Sequence, residues 1–215
     1  MATTSDFKQA LQHLSQVPGP MAALIDKHGP PTLARTRNSF QSLGRAIVYQ
    51  QLSGKAASTI YQRFVALFPG RRFPRPDLLL ATPIETLRGV GLSRGKSVSL
   101  LDLAQKYVDG TVTPRRFNHL SDEALMAMLT AVKGVGPWSV HMFMMFGLVR
   151  PNVLPVGDLG VRKGVQVYFS LADLPTPAVM EAVTDAWRPF RTAGCWYMWR
   201  LLEHGLPAGA SAISS

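Results

Sequence analysis

Apolar positions recur every three or four residues along most of the chain, and the breaks between them fall at glycine, proline and serine. Ser5–Ser15 reads as a helix, with Asp6 in its first turn and Phe7, Leu11 and Leu14 on one face. Pro20–Lys27 follows, closed by Gly29-Pro30-Pro31. Phe40–Gln51 carries Phe40, Leu43, Ile47 and Val48 in helical register, and Ser53–Leu67 continues with Ser53 as its cap. Pro69–Pro76 (PGRRFPRP) reads as a connector, either an exposed loop or a basic strip. Thr82–Arg88 ends at Gly89-Val90-Gly91, and Ser93–Asp109 is a longer helix. Ser121 opens another, with Asp122 and Glu123 at the positive end of its dipole. Leu159–Phe169, Thr176–Trp187 and Phe190–Glu203 complete the set, with Thr176 a cap and Pro177 at the first position. No segment keeps the strict alternation of a strand. The pattern predicts an all-α fold of about ten helices.

One stretch departs from plain periodicity. In Leu125–Trp138 (LMAMLTAVKGVGPW) the register of Leu125, Met128, Leu129 and Val132 stops at Gly134-Val135-Gly136. Two glycines around one β-branched residue permit positive φ twice and admit a partner without a Cβ in the way. Pro137 suits the first turn of a new helix, and Trp138–Phe143 carries a further apolar face. The predicted object is helix, tight hairpin, helix. The Gly134 and Gly136 amides sit where a helix begins. The turn is therefore either a plain connection or a seat for an anion such as a nucleic-acid phosphate.

Asp158 lies in Leu154–Arg162 (LPVGDLGVR), an apolar segment where a solvated acid has little reason to be. Asp is a good N-cap for the helix that follows, and a cap fixes a carboxylate without neutralising it.

Composition narrows the classes. The chain has 215 residues, 47% of them hydrophobic, enough for a substantial core. A formal net charge of +10 and a pI near 10.3 point to a polyanionic partner, nucleic acid first. A single cysteine, Cys195, allows no internal disulfide and no four-cysteine iron–sulfur cluster. The five histidines show no metal-ligand spacing; His141, one turn after the hairpin, is the one to examine. Met1–Leu14 has no signal-peptide pattern, and the most apolar run, Met142–Val149, is too short to cross a membrane. Its methionines and phenylalanines read as buried core. A soluble, intracellular, cytoplasmic protein is expected, with no membrane partner. After Gly205 the tail LPAGASAISS reads as disordered.

Leu129–Trp138 (LTAVKGVGPW) followed by Val156–Asp158 (VGD) resembles the helix-hairpin-helix DNA glycosylase superfamily, HhH-GPD. Trp187-Arg188-Pro189-Phe190-Arg191, with Trp196 and Trp199 behind it, is similar to the end of its alkylation-repair branch, the 3-methyladenine DNA glycosylase II type. Gln50-Gln51-Leu52-Ser53 resembles the segment from which that branch inserts a wedge into DNA, and the blocks stand in family order.

The resemblance implies a single two-lobed helical domain over residues 1–205 with a DNA-binding cleft between the lobes. The middle lobe would span about 38–150 and the other the N-terminal helices plus about 151–205, with 206–215 a flexible tail; the branch often carries an N-terminal β domain, and this chain is expected to depart from it in having no room for one. It implies Asp158 as the catalytic residue and Trp138, Trp199, Met142 and Leu159 as the substrate pocket, less aromatic than the family's because of Met142 and Leu159. Gln51, Leu52, Lys133, Gly134 and Gly136 would contact DNA, with Leu52 the wedge. Leu52 is equally well read as a core leucine. Trp187 and Trp196 read as core. Backbone carbonyls of Thr130, Val132 and Val135 match those that hold a monovalent cation, sodium or potassium, in relatives. No cofactor is required for the chemistry. Trp138 occupies the position of the nucleophilic lysine of bifunctional relatives, and Lys133 does not match it. The implied activity is monofunctional excision of alkylated bases from double-stranded DNA, by a monomer. A non-catalytic helix-hairpin-helix DNA-binding module is the alternative; it would keep Gly134-Val135-Gly136 and the charge but has no need of Asp158. A glycosylase with another lesion specificity is a further one.

Overall fold

The computed structural model of the chain describes residues 7–52, 54–211 and 213. Ser5, Asp6 and Ser53 lie outside the described residues, so the helix start and the cap read there do too. Among the described residues there are twelve α-helices and no strand, as the periodicity predicts. The helices are α1 (Lys8–Leu14), α2 (Met21–His28), α3 (Ser39–Tyr49), α4 (Gly54–Ala66), α5 (Pro76–Leu80), α6 (Ile84–Gly89), α7 (Arg94–Val108), α8 (Asp122–Thr130), α9 (Pro137–Met142), α10 (Leu159–Tyr168), α11 (Pro177–Val183) and α12 (Arg191–His204). None of those described is long and apolar enough to cross a membrane.

The chain divides into two compact units, Thr36–Phe143 and Met1–Arg35 with Met144–Ser215. In the middle unit, side-chain caps start α3, α7 and α8: Asn38, Ser93 and Ser121 accept from the backbone N–H groups of Gln41, Lys96 and Ala124. Such a cap is typically worth ~1 kcal/mol. The core gathers Phe40, Leu43 and Ile47 of α3, Phe64 of α4, Leu79 of α5, and Leu100 and Leu103 of α7. The connector after α4 is not merely an exposed strip. Phe73, set among arginines and prolines, is buried against Phe40 and Phe64 at ring distances of 5.4 Å, and Gly44 leaves room for its ring. The helix α5 is a further correction, since Pro76 and Asp77 start it as they would any first turn.

In the other unit, α10 packs on α12 so closely that a Cβ at Gly164 would lie 2.7 Å from the Met198 carbonyl. Helix α12 is buried from Arg191 to Met198, which places Trp196 in the core, and Trp187 is buried with it. The N-terminal helices are tied in by hydroxyls: Tyr168 donates to the Pro18 carbonyl at 2.7 Å and Tyr197 to the Gly29 carbonyl at 2.8 Å. The segment read as one helix over Thr176–Trp187 is α11 plus a 3-10 turn at Asp185–Trp187. In the tail expected to be disordered, Ile213 is one described residue that meets the rest of the unit. Ile213 donates its N–H to the Tyr168 carbonyl at 3.0 Å, beside Gly19, where an added Cβ would meet the Ile213 side chain.

Candidate functional site

The hairpin belongs to the middle unit. Helix α8 ends at Thr130, the chain turns, and α9 starts at Pro137. Only one of the two glycines uses the left-handed region. Gly134 has φ +73°, and a Cβ there would sit 2.2 Å from Ser99 Oγ, so both conformation and space require glycine. Gly136 is extended (φ −98°, ψ 176°), and a Cβ there would meet nothing within 4 Å. The second Gly-Val-Gly is not the same turn: Gly89 closes α6 and Gly91 carries the positive φ, at +101°.

Side chains from elsewhere hold the turn in place. Asp102 of α7 accepts the Lys133 N–H at 2.8 Å and the Lys106 ammonium at 2.8 Å. Burial would raise the Asp102 carboxyl, but the Lys106 and Lys133 donors outweigh it and hold it below the usual carboxylate range. Gln50 Nε2 donates to the Gly134 carbonyl at 2.8 Å and to Ser139 Oγ at 2.9 Å. Next to Gln50, Gln51 stands in the left-handed region at φ 55°, and Leu52 is 37% exposed, which excludes a core role. A groove of about 630 Å³ lies here, lined among others by Gln51, Arg94, Lys96, Lys133 and Gly134. The exposed Arg94 and Lys133 side chains at its wall can receive an anion. Of the two pocket residues read in this unit, Trp138 is exposed and Met142 half-buried. His141 is half-buried; burial pushes its imidazole below the ordinary value, against the pull of Asp122.

The other unit holds Asp158, 9% exposed, as the N-cap of α10. Its Oδ1 accepts the Val161 N–H at 2.8 Å and the Trp199 indole N–H at 3.0 Å. Trp199 gets this close because Gly160 has no side chain; a Cβ there would lie 2.8 Å from the indole. The far face of the arrangement was missed by the sequence reading. After Met142 the helix widens into a π-helical turn, Phe143–Gly147, in which Phe143, Met144 and Met145 are buried and Phe146 is 42% exposed. Phe146 stacks on Trp199 with ring centroids 5.5 Å apart. Periodicity alone reads Met142–Val149 as uniformly buried, because it assumes an α-helical register that the π-helical turn shifts. Leu159, beside Asp158, is exposed.

The C-terminal block acts through the loop that leads to Asp158. Thr192 donates to the Arg150 carbonyl at 2.5 Å and accepts from the Val153 N–H at 3.0 Å. Arg191, buried, bonds Glu181 and Asn152. The arrangement can present a fixed carboxylate beside an aromatic face, which suits a reaction that develops positive charge.

The sequence pattern of HhH-GPD superfamily base excision DNA repair proteins matches residues 45–189. The chain belongs to this superfamily. Among HhH-GPD relatives, DNA-3-methyladenine glycosylase 1 of Schizosaccharomyces pombe is 33% identical over 84% of this chain and 79% of its own. A solved 3-methyladenine DNA glycosylase of the same yeast, in complex with abasic DNA, superposes with a TM-score of 0.83 at 32% identity, over 91% of this chain and 97% of that one. A DNA-3-methyladenine glycosidase from Bacillus halodurans gives 0.80 at 31% identity, over 91% and 89%. The resemblance read from the hairpin, Val156–Asp158 and the tryptophan block is borne out.

Proposed function

We propose that the protein is a monofunctional DNA glycosylase that removes alkylated purines from duplex DNA by hydrolysing the N-glycosidic bond. The observation that carries this reading is Asp158, buried and held by Val161 and Trp199, with the exposed Phe146 stacked on the same indole. Alkylation at a ring nitrogen makes a purine cationic, and an aromatic face attracts such a cation by roughly 0.5–2 kcal/mol. Breaking the bond to the sugar passes through a species with oxocarbenium character. The Asp158 carboxylate stabilises that charge and can orient or deprotonate the attacking water. A cationic base leaves without a general acid, which favours alkylated purines over neutral lesions.

A base inside a duplex must be flipped out before this chemistry, and the gap filled. Gln51 and Leu52 take that role, supported by the left-handed backbone at Gln51 and the exposure of Leu52. Gly136 and Lys133 hold a phosphate, Gly136 because its missing side chain serves no contact within the protein. Trp138 stands where lyase relatives carry a lysine, so the abasic strand stays uncut. Carbonyls of Thr130, Val132 and Val135 form a further proposed site, for sodium or potassium. The Val132 carbonyl spends one lone pair on the Val135 N–H at 3.0 Å and keeps another, and carbonyls at a helix end lack intrahelical donors.

The test is incubation with methylated duplex DNA. Free 3-methylated or 7-methylated purine with an intact abasic strand is the expected result. No released base, or a covalent adduct trapped by borohydride, would overturn the reading.

A further inference from the structure

One face of α7 supports both of the loops proposed above to contact DNA. Lys96, Ser99 and Asp102 follow at three-residue intervals, and each meets one of the two loops assigned above to DNA. Asp102 holds the Lys133 N–H, and Ser99 occupies the space beside Gly134. Lys96 reaches the other loop: its ammonium donates to the carbonyls of Val48 at 2.7 Å and Gln50 at 2.8 Å.

Those carbonyls close α3, which has no basic residue in its last turn, no glycine after it and a C-cap residue, Gln50, in a non-helical conformation (φ −52°, ψ 133°). A helix end of this kind leaves orphan carbonyls that attract a cation. The chain immediately beyond it enters the left-handed region at Gln51, a conformation that persists only when its surroundings impose it. Gln50 itself is bonded to Gly134 and Ser139. One ammonium thus fixes the residue that joins the end of α3 to the hairpin.

We propose that Lys96 is a positioning residue for base removal. It holds the Gln51-Leu52 segment in the form that enters the duplex, and through Gln50 it sets that segment against the phosphate-holding hairpin. This rests on the glycosylase reading above. Lys96 touches neither the base nor the sugar in this account; its contribution is made before the bond breaks, while the target nucleotide is being extruded.

The test is single-turnover excision by Lys96→Met on two duplexes, the lesion opposite its normal partner and the lesion opposite an abasic analogue. In the second, no pairing resists extrusion. With two charge-assisted hydrogen bonds removed, the paired substrate should slow about tenfold or more, and the unpaired one should stay within about twofold of wild type. A 2-aminopurine beside the lesion should lose its unstacking signal in the variant on the paired duplex. Equal slowing on both substrates, or none on either, would overturn the proposal. If Lys96→Met does not fold, Gln50→Met removes the link to Gly134 while leaving the α3 carbonyls capped, and should give the same split; the same two contrary results overturn it. A wild-type protein that releases no base from either duplex would instead defeat the glycosylase reading.

Discussion

The hairpin and the Asp158 site are made of different material. The hairpin works with backbone groups: Gly134 permits the left-handed turn, and Gln50, just past α3, and Asp102 of α7 bond the Gly134 carbonyl and the Lys133 N–H. The Asp158 site works with side chains: a carboxylate, an indole and a phenyl ring, ordered by a helix start and by the absence of a side chain at Gly160. A phosphate needs donors that do not discriminate among bases, which backbone supplies. A developing sugar cation and a charged base need a fixed anion and a π face.

The sharpest way to break this division is Asp158→Asn. Asn caps helices as well as Asp does, so folding and DNA binding should persist. Single-turnover excision should fall by on the order of 10²–10⁴-fold. A rate near wild type would reduce Asp158 to a cap. Next comes Gly134→Ala, where the positive φ and the contact with Ser99 should together cost about 1–3 kcal/mol in chemical denaturation. Gly136→Ala should cost almost nothing in the same assay. Phe146→Ala removes one stacked pair beside Trp199 and should weaken the processing of cationic purines by roughly three- to tenfold in kcat/KM, with less effect on a neutral lesion. The smallest effect concerns His141. Burial, partly offset by Asp122, keeps its folded pKa below the ordinary value, so the unfolded chain takes up the proton first. Stability should be full above about pH 6.5 and decline as the pH falls below it. His141→Gln should flatten that decline in melting temperature.

How far the sequence could be read follows the same division. Features that rest on one residue type at a fixed spacing were legible. The cap at Asp158, Pro137 at the start of α9 and the left-handed turn at Gly134 are local rules, and each holds. Features that depend on a distant partner were not. Nothing local marks Asp102 or Lys96 as supports of the loops, because their acceptors and donors lie tens of residues away. Phe73 looked exposed among arginines because its neighbours Gly44 and Phe40 are on α3. Phe146 was hidden by a π-helical turn, which shifts the register that periodicity assumes. The pattern permits a positive φ at both hairpin glycines, and sequence alone does not show that Gly136 leaves it unused.

If the hairpin holds DNA while Asp158 does the chemistry, titration of folded Gly136→Ala with abasic duplex, beside its excision rate at saturating enzyme, separates the two roles. Nothing inside the protein occupies the space a Cβ would take at Gly136, so any loss reports the partner alone. Affinity should be about tenfold weaker, with the saturated rate unchanged. Unchanged affinity, with the protein folded, would mean that the hairpin is only a turn and that the DNA lies elsewhere.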